Sequence, residues 1–318
     1  MKTIDDQLLR GLLPTRETGA HKGGVGGVMI IAGAPHYPGA AWLTCRSAGR
    51  TGAGIVYLAA PRGVVAIMAN VMPEVAFVPL PETTTVSSVR HALEHIDEKQ
   101  HRVTAYVIGP GLGDDESTDH LLSAIFGFGG AAGRSIYGFG FGAEAGSPGG
   151  VQTIFDKTDV PIVVDADGLN WLSKQDEWWN KVPEHRLVLT PHPSEANRLS
   201  GIEVDDIVAD PAGTAVKLAS KWKQTVVIKT GYTAVSNGTD TVVADLAPTS
   251  LATAGSGDCF AGAIGAYLSQ GCSPLDAATL AIGVGSRAAT ALEETWGAAG
   301  VIAADLPDAM ARAVRALA

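Results

Sequence analysis

The sequence has few charged residues, and acidic side chains outnumber basic ones. Charged residues make up 18% of the 318 residues, and 33 acidic against 23 basic side chains leave a formal net charge of −10. Because such a surface repels polyanions, we expect no nucleic acid and no membrane surface among the partners. The hydrophobic fraction of 46% is too high for a disordered chain, so we expect a large buried core.

Cysteine is also scarce, and long apolar runs are missing. Cys45, Cys259 and Cys272 form neither a C-x-x-C pair nor a Cys/His set at zinc spacing, which is typical of buried thiols in a reducing compartment. Charges within residues 1–20 leave no apolar core for a secretory signal. No stretch of about 18 residues is apolar enough to span a membrane. We therefore expect a soluble cytoplasmic protein.

Short β-branched runs alternate with longer Ala-rich runs from residue 26 onward. This alternation is typical of parallel strands joined by crossover helices in an α/β fold. Strands are predicted at residues 28–32, 55–58, 105–108, 162–164, 187–189 and 226–228. Helices are predicted at residues 40–50, 86–99, 194–199, 214–223, 257–269 and 274–294. Asn237-Gly238 is a hairpin signal, so we expect the sheet to end in antiparallel strands.

Residues 127–150 form a segment so rich in glycine that neither helix nor strand is favoured. Such a segment is either a mobile lid over a site or a tolerated surface insertion. Its aromatic residues, together with Phe126, indicate that it packs against the rest of the protein. No linker divides the sequence, so we expect one domain over residues 1–318 that carries this insertion.

The stretch that leads into the helix predicted at 257–269 indicates phosphate chemistry. Ala254, Gly255, Ser256 and Gly257 allow a tight turn whose N–H groups point to one spot, which predicts an anion hole. Asp258 follows in the first helical turn, where a carboxylate can accept the proton of a hydroxyl group that attacks a phosphate. The alternative is that the glycines permit close helix packing and that Asp258 caps the helix.

Two further stretches place ligand-binding residue types after predicted strands. Residues 109–113 (GPGLG) leave backbone exposed where open α/β sheets bind ligands, although a plain tight turn explains them as well. They match neither a Walker A loop nor a dinucleotide fingerprint. His192 and Glu195 lie near another strand end, where one could bind a substrate and the other could hold water on Mg²⁺. The alternative makes Glu195 a helix cap and His192 a turn residue.

Three charged side chains also follow buried strands. Asp165 and Asp167 are costly there unless they are paired, solvated or bound to a cation. A helix-capping role for Asp167 is as open as a role in the site. Lys229 could reach a nucleotide phosphate or brace a carboxylate. Near residue 40, Gly39 and Ala40 could let a flat ring approach the backbone or could serve helix packing alone.

Taken in order, these stretches resemble the ADP- or ATP-dependent NAD(P)H-hydrate dehydratases, which have the ribokinase-like fold. The motifs are HKG, PGAA, TGAG, GPGLG, DAD, TPHPSE and GSGD, between about residues 21 and 295. The resemblance implies a three-layer sandwich with a mostly parallel central sheet, flanking helices and no separate lid domain. It implies phosphorylation of the 6-hydroxyl of hydrated (S)-NADH or NADPH, followed by phosphate elimination. Such a reaction repairs a damaged metabolite.

The resemblance also assigns roles to individual residues. Asp258 corresponds to the base, and it contacts the hydrated nicotinamide nucleotide together with Ala40, Gly111 and His192. Glu195 resembles the Mg²⁺-associated Glu of the wider superfamily. The site for the ADP or ATP donor corresponds to Lys229, Thr230, Gly231, Tyr232, Thr233 and Gly257. Thr230 stands where the family usually has Gly, and the loop at 245–250 (DLAPTS) lacks the usual Asn and Gly.

The resemblance further implies partners. The sequence lacks the epimerase domain that is often fused ahead of this family, so we expect an NAD(P)H-hydrate epimerase on another chain. Apolar helix faces in residues 274–294 and 301–318 could build a homo-oligomer, although core packing explains them equally well. Two alternative functions remain: a small-molecule kinase of the same fold, and a nucleotide-binding protein without catalytic activity.

Overall fold

A computed structural model of the chain describes residues 1–128 and 152–318. The Gly-rich insertion predicted at 127–150 lies outside these residues except for its first two. Gly127 ends a helix with φ +74°, a conformation that favours glycine. The aromatic ring of Phe128 is buried with its centroid 5.5 Å from that of Trp171.

One sheet contains all the strands of the described residues. They are β1 (Lys2–Ile4), β2 (Gly27–Ile31), β3 (Ile55–Pro61), β4 (Ala76–Leu80), β5 (Ala105–Ile108), β6 (Ile162–Val164), β7 (Leu187–Leu189), β8 (Thr225–Ile228), β9 (Ala234–Ser236) and β10 (Thr241–Ala244). Their order is β1-β10-β9-β8-β7-β6-β5-β2-β3-β4. Only β9 runs antiparallel to its neighbours.

Helices cover both faces of this sheet. They are α1 (Asp6–Leu12), α2 (Lys22–Val25), α3 (Pro38–Arg50), α4 (Arg62–Met68), α5 (Val86–Asp97), α6 (Glu116–Phe126), α7 (Ile154–Lys157), α8 (Asp167–Leu172), α9 (Pro193–Ser200), α10 (Val204–Ala209), α11 (Pro211–Trp222), α12 (Ser256–Ser269), α13 (Pro274–Trp296) and α14 (Leu306–Leu317). No helix of the described part of the chain is long and apolar enough to cross a membrane.

The sheet separates two hydrophobic cores. One core joins alternate strand residues to α3, α12, α13 and α14, and the other joins the opposite strand face to α5, α6, α8 and α11. Because both faces are covered, the central strands are apolar along their whole length. The predicted three-layer α/β architecture is therefore confirmed.

The predicted strands at 28–32, 55–58, 105–108, 162–164, 187–189 and 226–228 all form, and each begins within one residue of its predicted start. The hairpin around Asn237-Gly238 also forms, between β9 and β10. The prediction that the sheet ends in antiparallel strands is wrong, because β1 adds to β10 in parallel and forms the edge. Only Ile4 of β1 is buried, so its sequence carries almost no strand signal.

Two features of this topology create a site. Five neighbouring strands are parallel, namely β2, β5, β6, β7 and β8. Their carboxyl ends therefore lie on the same side, where Gly109, Asp165, Thr190 and Lys229 follow β5, β6, β7 and β8. Helix α12 lies close over these strands, since a Cβ atom at its Gly265 would lie only 2.3 Å from a methyl group of Val107. The first turn of α12 is thereby held over the strand ends.

Candidate active site

The first turn of α12 presents unpaired backbone N–H groups. Gly255 precedes the helix with φ +92°, and a Cβ atom there would lie 2.5 Å from a methyl group of Leu43. The N–H of Ser256 donates to the carbonyl of Thr253. Within the described residues, the N–H groups of Gly255, Gly257 and Asp258 donate no hydrogen bond. The turn thus has the donors of an anion hole, except that the Ser256 N–H serves the turn itself.

Asp258 faces the strand ends from this turn. Its side chain is partly buried and not enclosed in the core. Burial, and after it the charge of Asp165, raise the pKa of Asp258 against the opposing ammonium of Lys229, with the net result that this pKa is about 7. A carboxyl with this pKa is able to exchange a proton near neutral pH.

Lys229 pairs with a buried carboxylate. Its Nζ donates to Oδ1 of Asp165 at 2.7 Å, and the hydroxyl of Thr190 donates to the same oxygen at 2.6 Å. Burial would lower the pKa of Lys229, but the charges of Asp165 and Glu195 raise it above its usual value. A Cβ atom at Gly257 would lie 3.3 Å from Nζ, so the ammonium touches the first turn of α12. The expectation that Lys229 could brace a carboxylate is therefore met.

Glu195 and His192 form a capping box at the start of α9. Oε2 of Glu195 accepts the backbone N–H of His192 at 2.8 Å, and Nδ1 of His192 accepts the N–H of Ser194 at 3.2 Å. The helix-capping alternative for Glu195 is thus realised. Burial raises the pKa of Glu195 to about 7, with Lys229 opposing and Asp165 adding to the shift.

The residues present suit Mg²⁺ only in part. Among residues 1–128 and 152–318, no three His, Cys, Asp or Glu side chains converge as a metal site. Glu195 uses one oxygen for the cap, and its other oxygen lies 3.5 Å from Nε2 of His192. Mg²⁺ usually keeps several waters and needs only one or two carboxylates beside substrate phosphates. The site therefore fits an ion held largely by nucleotide phosphates, and the metal role of Glu195 stays a prediction.

A cavity of about 550 Å³ opens beside Lys229 and the first turn of α12. Its walls include these residues named from the sequence: His192, Lys229, Thr230, Gly231, Thr233, Ser256 and Gly257. Tyr232 lies outside the cavity wall and is 58% exposed. The loop that departs from the family pattern also lines the cavity, through Pro248 and Thr249.

The sequence interpretation missed the apolar wall of this cavity, which Phe260 and Ile282 provide beside Ser286. Phe260 follows Gly257 by three positions in α12, and Ser286 follows Ile282 by four positions in α13. Residues at these spacings share one face of a helix. A helical projection of the residues after Gly257 could therefore have found Phe260.

Ala40 and Gly111 lie together on another side of the site. Gly111 has φ +62°, and a Cβ atom there would lie 2.6 Å from Cβ of Ala40 and 2.9 Å from Cβ of Tyr37. The GPGLG loop therefore packs directly on the start of α3. Neither Ala40 nor Gly111 lines the cavity beside Lys229, so the structure brings them to each other and not to that cavity.

Asp167 has a different role from the predicted cap. The N-cap residue of α8 is Ala166, which makes no side-chain capping bond, and Asp167 is the first residue of the helix. Oδ2 of Asp167 instead accepts the backbone N–H of Gly113 at 2.8 Å. The capping alternative is therefore not realised, because the carboxylate extends sideways to the GPGLG loop.

Comparisons with known proteins show which family the chain belongs to. The sequence profile of the family described as NAD(P)H-hydrate dehydratase matches residues 28–128 and 135–312. The chain belongs to this family. A family relative from Salinibacter ruber, a bifunctional NAD(P)H-hydrate repair enzyme, is 31% identical over 98% of this chain and 52% of its own length. The chain thus spans about half the length of the first curated relatives that it matches.

Another family relative is matched over most of its length. The ADP-dependent (S)-NAD(P)H-hydrate dehydratase of Neisseria meningitidis serogroup B is 31% identical over 92% of this chain and 86% of its own. The crystal structure of a Bacillus subtilis ADP/ATP-dependent NAD(P)H-hydrate dehydratase, co-crystallised with ATP/Mg²⁺, has a TM-score of 0.75 at 22% identity. The alignment covers 100% of this chain and 99% of that one. A ribokinase-like superfamily protein from Enterococcus faecalis has a TM-score of 0.76 at 18% identity over 100% of this chain and 96% of its own, so both matches confirm the ribokinase-like fold.

Proposed function

We propose that this protein converts hydrated (S)-NADH or NADPH back to NADH or NADPH with ADP or ATP as phosphoryl donor. The observation that carries the proposal is the position of Asp258, whose carboxyl lies beside unpaired N–H groups and close to Lys229. The family membership and the dehydratase activity named for the Neisseria relative support the same reaction. The α12 turn would then hold the phosphoryl group that is transferred.

The reaction assigned to these residues begins with a proton transfer. Asp258 accepts the proton of the 6-hydroxyl of the hydrate, and that oxygen attacks the terminal phosphorus of the nucleotide. The bond between this phosphorus and the bridging oxygen breaks, and its electron pair stays with the departing nucleotide. The ring nitrogen of the phosphorylated hydrate then supplies the electron pair that expels phosphate. Phosphate leaves more easily than hydroxide would, and loss of a ring proton to water then restores the dihydronicotinamide.

The protein supplies positioning and charge to this reaction. Lys229 reaches the first turn of α12 and is suited to a phosphate oxygen of the donor, while the cavity beside it would take the rest of the nucleotide. Ala40, Gly111 and His192 would contact the hydrate, as the family resemblance implies. A Mg²⁺ ion bound with the nucleotide would neutralise phosphate charge, and Glu195 could hold one of its waters.

The first prediction tests this assignment. The protein should regenerate the absorbance of NADH from enzymatically hydrated NADH in the presence of Mg²⁺ and either ADP or ATP. Asp258→Asn keeps the shape of the side chain but cannot accept the proton, so turnover should fall by roughly 10²- to 10⁴-fold. Isothermal titration of ADP or ATP should show that the variant still binds the nucleotide.

Other outcomes would assign another function. Phosphate transfer to a sugar or vitamin alcohol without NADH recovery would support a kinase of the same fold. Nucleotide binding without turnover of either class of substrate would indicate an inactive nucleotide-binding protein. An Asp258→Asn variant with unchanged turnover would remove this carboxyl as the base.

The finer partner predictions belong to the same proposal. We infer that an NAD(P)H-hydrate epimerase converts the R hydrate for this protein, because several relatives are described as bifunctional repair enzymes. Recovery of NADH from a mixture of both hydrates should become complete only after an epimerase is added. A cytoplasmic location agrees with the three free cysteines, and a homo-oligomer would be tested by light scattering of the purified protein.

A further inference from the structure

The turn formed by residues 165–167 connects two sides of the site that the family resemblance treats separately. On one side, Asp165 is 1% exposed and binds Nζ of Lys229 at 2.7 Å. On the other side, Asp167 accepts the N–H of Gly113 at 2.8 Å and so holds the end of the GPGLG loop. The two carboxylates are separated in sequence only by Ala166.

The backbone at Ala166 is held in a strained conformation. Its φ of 49° and ψ of −117° lie outside the regions that residues with a Cβ atom favour. Such conformations persist where the surrounding structure fixes them, and they concentrate at functional sites. At Ala166 the conformation sends Asp165 toward Lys229 while Asp167 reaches the GPGLG loop.

Close packing supports the turn from the loop side as well. A Cβ atom at Gly109 would lie 1.9 Å from the carbonyl oxygen of Asp165 and 2.8 Å from the N–H nitrogen of Gly168. The loop therefore lies directly on the turn before it reaches Gly111, which packs against Ala40. A displacement of the turn would shift the loop and Lys229 together.

We propose that the 165–167 turn is a positioning element that fixes the nucleotide side of the site, through Lys229, relative to the substrate side, through the GPGLG loop. This inference rests on the proposed function for the identity of the two ligands. Asp165 and Asp167 are positioning residues, since each acts through the group that it binds. Substitution of Asp165 should therefore weaken binding of the nucleotide, and substitution of Asp167 should weaken binding of the hydrate. A merely structural role would weaken both in each variant.

The first test concerns the nucleotide side. In Asp165→Asn, the ammonium of Lys229 loses its charged partner, so the Kd for ATP with Mg²⁺, measured by titration calorimetry, should rise about tenfold or more. The KM for the hydrate should stay within about twofold. Thr190→Val removes only the hydroxyl that orients Asp165, and we expect a smaller change of the same kind.

The second test concerns the substrate side. Asp167→Ala frees the N–H of Gly113, so hydrogen exchange of that amide should accelerate and the KM for the hydrate should rise about tenfold. The Kd for ATP should stay within about twofold of the wild type. Asp119→Asn is a matched control in the same cleft as Asp167, because Asp119 accepts the indole N–H of Trp171 at 2.8 Å and its side chain bonds neither the GPGLG loop nor Lys229. It should leave both constants unchanged.

The third test concerns the strain. Glycine adopts the observed φ and ψ without strain, so the Tm of Ala166→Gly should stay equal or rise. Glycine also permits other backbone conformations, so the turn should hold Asp165 and Asp167 less firmly, and the Kd for ATP and the KM for the hydrate should both increase. Unchanged constants in Ala166→Gly would overturn the inference. An equal rise of both constants in Asp165→Asn and in Asp167→Ala, together with a lower Tm, would also overturn it.

Failure of the proposed function would look different. The nucleotide Kd and the exchange rate of the Gly113 amide are both measurable without turnover. A wild-type protein that binds ATP but restores no NADH, and whose variants change Kd and amide exchange as stated, would refute the dehydratase proposal alone. If the wild-type protein restores NADH, but Asp165→Asn and Asp167→Ala each change the Kd for ATP and the KM for the hydrate to the same extent, only the positioning role is refuted.

Discussion

At the scale of single residues, the site is defined by an imbalance of charge. The carboxyls of Asp165, Glu195 and Asp258 all act on one ammonium, that of Lys229, and Asp167 adds its charge near Asp258. Asp165 takes the direct contact with this ammonium. Glu195 is buried and Asp258 is partly buried, and neither has an equally close cation, which is why their pKa values are raised to about 7.

The second prediction follows from this charge distribution. A base must be deprotonated, so kcat/KM for the hydrate should increase with pH and level off above the pKa of Asp258, which is about 7. Asp165→Asn removes a neighbouring negative charge, which lowers the pKa of Asp258 and moves the rising limb of the pH profile of kcat/KM to lower pH. Rate profiles of the wild type, Asp165→Asn and Asp119→Asn measure the shift. A limb that stays in place in Asp165→Asn would contradict it.

For single residues, the sequence predicts local features but not the partners that lie far away along the chain. The anion-binding turn before Asp258 follows from local backbone chemistry, because small residues at a helix start leave N–H groups free. The partner of Lys229 does not follow, because Asp165 lies 64 positions earlier and the two meet only through strand order. The same holds for Asp167 and Gly113, which are 54 positions apart.

At the scale of elements, the close approach of α12 and α3 sets the height of the anion-binding turn above the sheet. A Cβ atom at Gly262 of α12 would lie 2.1 Å from the backbone carbonyl oxygen of Thr44 in α3. The two helices can lie this close only because position 262 has no side chain. Together with Gly265 against Val107, this contact fixes α12 on both the helix and the sheet.

The third prediction uses this contact. Gly262→Ala should destabilise the protein by about 1–3 kcal/mol, because backbone cannot yield as a flexible side chain would. Gly49→Ala in α3 is the matched control, since nothing lies within 4 Å of a Cβ atom there, and it should be neutral or stabilising by up to about 1 kcal/mol. Urea unfolding of both variants measures the difference. Equal stability of the two would contradict the close contact.

Element prediction succeeded where a strand is apolar throughout and failed where a strand lies at an edge. The central strands β5, β6 and β7 form at the residues predicted from their apolar runs. The edge strands β1 and β4 were not predicted, since Lys2–Ile4 buries one residue and Ala76–Leu80 contains Pro79. Proline is tolerated at a sheet edge, where its missing N–H costs no ladder bond, but it weakens the sequence signal for a strand.

At the scale of the whole molecule, one side chain ties the start of the chain to a helix near its other end. Arg287 of α13 donates to Asp245 at 2.9 Å and to Asp6, and its guanidinium also reaches the carbonyl oxygen of Ile4 in β1. The side chain of Arg287 is 15% exposed and that of Asp245 is 25% exposed, so this pair is partly shielded from water, whereas Asp6 is 59% exposed. This cluster holds β1 at the sheet edge, because β1 itself buries only Ile4.

The fourth prediction is that Arg287→Ala releases the edge strand before the rest of the fold. Loss of the guanidinium leaves the partly buried Asp245 without its cation, which should cost about 1–3 kcal/mol and accelerate hydrogen exchange at Lys2–Ile4, whereas the lost pair with the exposed Asp6 should add little. Arg50→Ala is the control, since Arg50 pairs with Asp308 where both side chains are more than one third exposed, and such pairs contribute about 0–1 kcal/mol. Unchanged exchange at Lys2–Ile4 would mean that pairing with β10 alone holds the strand.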